Sequence, residues 1–173
     1  MNDDRTIAHG STPRTVIAVI DEPSAGGRLQ AGGHDPDHDH EAVRRRAAEL
    51  GAGGATVILF PETDPGPLAS SLPTEWSADG EEELFGNRLD PKRLDAAGRR
   101  GLAEQVDALR RTGADAWGWL PDEASAAALI DYAREQRADL ILVSDADTKL
   151  RDQLAELDRA ATIAVEAVAP RER

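Results

Sequence analysis

The chain has 173 residues, a formal charge of −13 and no cysteine, and its hydrophobic residues make up 40% of the total against only 3% aromatics. The acid excess, with Lys92 and Lys149 the only lysines, argues against nucleic acid, whose phosphates demand clustered Lys and Arg. Without cysteine there is no disulfide framework, thiol nucleophile or thiolate metal site, and no window approaches the roughly 18 to 20 apolar residues of a membrane span.

Residues 1–13 are polar, carry Asp3 and Asp4, and read as a disordered tail that is neither a signal peptide nor an amphipathic anchor. The expected setting is the cytoplasm. Thr15 to Ile20 is a continuous β-branched and apolar run, as a strand covered on both faces requires, and Asp21-Glu22-Pro23 stops it. Residues 24–39, rich in Gly, Asp and His, read as a loop. Val43, Ala47 and Leu50 then share one face of a helix ending at Gly51, and Ala55 to Phe60 is the second strand, bounded by Pro61.

Residues 61–90 hold Pro61, Pro65, Pro67 and Pro73, and eight acidic residues face the single Arg88. Such a segment reads as a solvated acidic insertion. Asp90-Pro91 opens a long helix, with an acceptor at the cap and proline in the first turn, whose stripe is Leu94, Gly98, Leu102, Val106 and Leu109. Thr112-Gly113 ends it. Ala114 to Leu120 is the third strand, with Trp117 and Trp119 on one face, where core packing outweighs a stacking platform for a ligand base.

A helix starting near Ser125 carries Ala128, Leu129, Tyr132, Ala133 and Gln136 at helical spacing, and Leu140 to Val143 runs apolar without alternation as the fourth strand. Leu150, Leu154, Leu157 and Ala161 fit a last helix capped by Asp147 or Thr148. Thr162 to Val168 reads as a fifth, edge strand, and 170–173 as a short tail. Strands alternating with helices predict a parallel sheet flanked by helices on both faces.

Three stretches in this order resemble the universal stress protein family: Val16 to Asp21, an opening strand ending in aspartate; Asp139-Leu140-Ile141-Leu142-Val143; and Ala164 to Val168. The resemblance covers about residues 14–169 as one domain. It implies a Rossmann-like three-layer α/β/α sandwich whose five-stranded parallel sheet has the order 3-2-1-4-5. It also implies stress-related regulation or protein interaction, and a homodimer paired through the fifth strand, Thr162 to Val168.

Members of that family that bind ATP carry Gly-x-x-Gly just after the fourth strand, where backbone amides close on phosphate without Cβ obstruction. This chain reads Ser144-Asp145-Ala146-Asp147 there and has no glycine after Gly118. It resembles a divergent member that does not hold ATP tightly. The alternative is a module binding ATP or another adenine nucleotide through Asp21, Ser144 and Asp145, the strand-end positions where ligands of open α/β sheets collect. A second alternative is an enzyme using nucleotide chemistry, but Ser144-Asp145 has no histidine beyond His40 to form a nucleophile set. His34, His38 and His40, interleaved with aspartates, are competent metal-ligand types. A solvated loop is the favoured reading, and no metal or other cofactor is expected.

Overall fold

β1 (Thr15–Ile20), β2 (Thr56–Pro61) and β4 (Leu140–Ser144) are the runs without alternation, and all three are buried almost throughout. β3 (Asp115–Gly118) and β5 (Ala164–Val168) are more exposed. All neighbours pair in parallel, in the order β3-β2-β1-β4-β5, so β5 is an edge as the sequence predicts. The computed structural model describes residues 13–21, 36–62, 88–121, 124–160 and 162–170, and only the backbone at 36–39. The expectations for the tail before residue 13, the 22–35 part of the loop and the 63–87 part of the acidic insertion lie outside the described residues.

Five helices are seen among the described residues: α1 (Pro36–Ala52), α2 (Pro91–Ala96), α3 (Arg100–Arg111), α4 (Ala126–Glu135) and α5 (Thr148–Leu157). Successive residues of β1 feed opposite cores. Val16, Ala18 and Ile20 pack with Val43 and Ala47 of α1, Leu94 of α2 and Leu102 of α3, while Ile17 and Val19 pack with Leu129 and Tyr132 of α4 and Leu154 of α5. The sheet is therefore the middle of three layers. Burying each such aliphatic side chain contributes about 1.5–3 kcal/mol, and period-two alternation divides that contribution between the two faces.

Three helix starts are capped, two of them, at Asp90 and Asp147, as read from sequence. Asp90 accepts from Arg93 N, Ser125 Oγ from Ala128 N, and Asp147 Oδ1 from Leu150 N. Asp139, just before β4, accepts from Arg14 N at 2.8 Å and Thr15 N at 3.0 Å, joining the starts of β1 and β4 at the end of the sheet opposite their C-termini.

Several boundaries differ from expectation. The loop expected over 24–39 stops earlier, because α1 begins at Pro36; proline fits a first helical position, where its missing N–H has no partner to lose. The single long helix expected from Pro91 is two. Gly98 adopts φ +76°, stands exposed and turns the chain after Ala97, so it is not part of the buried stripe. β5 starts two residues late, because Thr162 Oγ1 and Ile163 N donate to the buried Asp158 carboxylate at 2.7 and 3.0 Å.

Candidate functional site

The C-terminal ends of β1, β2 and β4 lie side by side, at the point where the sheet order reverses and open α/β sheets bind ligands. Below them, between the starts of α4 and α5, lies a cleft of about 740 Å³. Val19, Phe60 and Leu129 line it from the core side, and Glu62, Asp147 and Lys149 supply its charged groups near the strand ends. That volume lies within the range of small-molecule sites.

Asp21, Ser144 and Asp145 stand at the strand ends but do not line this cleft. The β1–β4 register pairs Ala18 with Leu142, and continuing it sets Asp21 level with Asp145. Asp21 is partly exposed and its carbonyl accepts from Gln105 Nε2 at 3.5 Å. Ser144 is buried, and its Oγ accepts from Ala146 N at 3.2 Å. Asp145 N donates to Val168 O, and the Asp145 carbonyl accepts from Arg151 Nη1.

Sequence reasoning missed the pair formed by His40 and Glu62. His40 is 8% exposed, and its Nε2 lies 3.1 Å from Glu62 Oε2. Glu62 is itself fixed by its backbone N–H, which donates to Ile20 O at 2.8 Å. The hydrogen bond to Glu62 raises the His40 pKa against the opposing effect of burial, with the Asp21 charge assisting; in return His40 holds Glu62 below the ordinary carboxylate range. Two of the candidate metal ligands, His38 and His40, fall within α1. A helix separates those positions by roughly 200° of rotation, and His34 lies outside the described residues. No group of three metal-ligating side chains occurs among the described residues.

No family model and no curated protein matches the chain. Solved structures do. A protein from the universal stress protein family of Burkholderia pseudomallei is 20% identical, with 94% of this chain and 99% of that chain covered at a TM-score of 0.51. The fold is that of the universal stress proteins. A universal stress protein in complex with cAMP is 17% identical over 91% of this chain and 98% of that one, at a TM-score of 0.49.

Within this universal stress protein fold, the turn after β4 is closed on itself. Ala146 N donates to Ser144 Oγ, Asp147 N to Ser144 O, Thr148 N to Ala146 O and Leu150 N to the Asp147 carboxylate. With Asp145 N held by β5, these amides all have acceptors from the chain itself. Trp117 and Trp119 pack against the core on the α4 side of the sheet. Trp119 stacks on Tyr132 of α4 with centroids 3.7 Å apart and planes at 2°, and Phe60 meets it at 5.1 Å. Trp117 donates from Nε1 to Asp115 and lies under the Arg110 guanidinium at 4.7 Å.

Proposed function

We propose that this chain is a regulatory or protein-interaction member of the universal stress protein family that does not hold ATP tightly. The observation that carries this reading is the turn after β4, where the N–H groups of residues 145, 146, 147, 148 and 150 all donate within the chain. A phosphate gripped by a helix N-terminus needs free N–H groups, and here Ser144 and Asp147 take the donors at 146 and 150. Charge works in the same direction. Two like charges about 4 Å apart repel by about 1 kcal/mol even at the dielectric of water, and Glu62 and Asp147 both line the cleft beside the single Lys149. Calorimetry with magnesium and ATP should find no site tighter than roughly 100 μM, equivalent to about −5.5 kcal/mol. A low-micromolar site would transfer the reading to a nucleotide-binding module using Asp21 and the strand ends.

The same reading includes a homodimer formed through β5. Its one charged residue, Glu166, turns away to Arg46 of α1 at 2.7 Å. What remains along the edge is apolar, with Val165 39% exposed and Ala164 and Ala167 open. Unpaired strand edges without a charge or proline recruit another strand, and a two-fold axis through β5 satisfies both copies at once.

A further inference from the structure

We propose that His40 and Glu62 form a proton-operated latch at the rim of the cleft, which ties the first half of α1 to the end of β2 when His40 is charged. In that state one rim carboxylate is paired; when His40 is neutral, Glu62 is left to the cleft with Asp147. The proposal rests on position. His40 is buried on α1, Glu62 lines the cleft with its side chain 37% exposed, and the two meet at 3.1 Å. The latch therefore connects an inaccessible imidazole to a group that faces solvent and any ligand. It operates whether or not a nucleotide enters the cleft.

Each neighbouring element supplies a defined influence. From the end of β1, Asp21 favours the imidazolium; from the end of β2, Glu62 does so most strongly. On α1 itself, Arg44 opposes it. From α3, Gln105 is uncharged and bonds the Asp21 carbonyl. From the cap of α5, the Asp147 side chain hydrogen-bonds Glu62 and, after His40, helps to hold its pKa down. His40 Nδ1 is buried without a hydrogen-bond partner among the described residues, so burial opposes the second N–H and the Glu62 contact must outweigh it. A neutral imidazole keeps one N–H to offer and loses the Coulomb attraction of both carboxylates.

The sign follows. His40 has a raised pKa, so its contribution is complete below the ordinary value of 6.5 and disappears as pH rises through the folded value. Glu62 has a lowered pKa, so its contribution is complete above 4.5 and disappears as pH falls through its own folded value. The latch is strongest between those two ordinary values.

The test follows the histidine Cε1 protons by NMR across pH, assigning His40 with His40→Gln. His40 should titrate above the ordinary 6.5, and Glu62→Gln should lower its midpoint, because the Glu62 hydrogen bond is the largest cause of the rise. In wild type, amide exchange at Ala42 and Val43, corrected for base catalysis, should accelerate from about pH 6 to about pH 8 relative to Ala47 on the same helix. This second arm needs no variant to fold. A His40 midpoint unmoved by Glu62→Gln, or protection at 42–43 that does not respond to pH, overturns the latch.

Discussion

Gly118→Ala is a direct probe of how closely the sheet and α2 approach. A Cβ built on Gly118 would stand 2.7 Å from Leu94 Cδ1, 3.2 Å from Leu94 Cδ2 and 3.5 Å from Leu102 Cδ2. Leu94 is fully buried, so the end of its side chain must shift within a packed core to admit the methyl. Nor is β3 free to retreat, because Gly118 N donates to Leu89 O at 2.9 Å and its carbonyl accepts from Leu89 N at 2.8 Å. Overpacking of this kind costs about 1–3 kcal/mol, and the stiffer unfolded chain returns about 0.4–1 kcal/mol. A net loss of about 1–2 kcal/mol should lower Tm by about 2–8 °C in a domain of this size. Urea unfolding followed by Trp fluorescence measures it. Leu94→Ala alone should cost about 2–5 kcal/mol. Combined with Gly118→Ala it should cost less than the sum, by about 1 kcal/mol, because the new methyl enters the vacated space. Strict additivity, or a neutral Gly118→Ala, would refute the claim that a side chain of α2 occupies the site of the missing Cβ.

Asp158→Ala removes the acceptor of the buried Ile163 N–H, so it should destabilise by about 1–3 kcal/mol in urea unfolding near neutral pH. The Ile163 amide, assisted by Thr162, holds the Asp158 pKa below its ordinary 3.8; the difference between variant and wild type should therefore be full above that value and shrink as pH falls through the lowered one. Val165→Lys places a lysine beside its symmetry mate in a paired β5 edge, so light scattering at micromolar concentration should show a dimer become a monomer. A wild-type mass near 18.5 kDa in solution would remove the basis of the dimer.

The sheet was legible because fully covered parallel strands announce themselves as unbroken apolar runs, and β1, β2 and β4 are such runs. Two caps were legible because Asp90 and Asp147 each act on an amide three residues away. Gly98 was misread because its spacing from Leu94 and Leu102 fits one helix as well as two, and periodicity alone does not report a positive φ. His40 was misread for a different reason. Its neighbours in sequence are acidic and polar, which suggests solvent, but extending α1 back to Pro36 rotates this one histidine inward against a carboxylate 22 positions further on. Pairing of that kind depends on where a helix rests against a strand end, which no local composition encodes.

The strand ends of this fold can serve a ligand or the protein's own turn. In this chain the oxygens of Ser144 and Asp147 accept from the amides of Ala146 and Leu150 in the turn after β4. The Asp147 cap stabilises the start of α5 by about 1 kcal/mol, so the arrangement favours order in the turn. The cleft remains, with Val19, Phe60 and Leu129 at its base, but its charge is acidic and one of its carboxylates answers to His40. The proposed latch places a titratable pair, His40 and Glu62, at this rim, and what it asks of the chain is residue identity at a few positions near the strand ends rather than any change in the sheet.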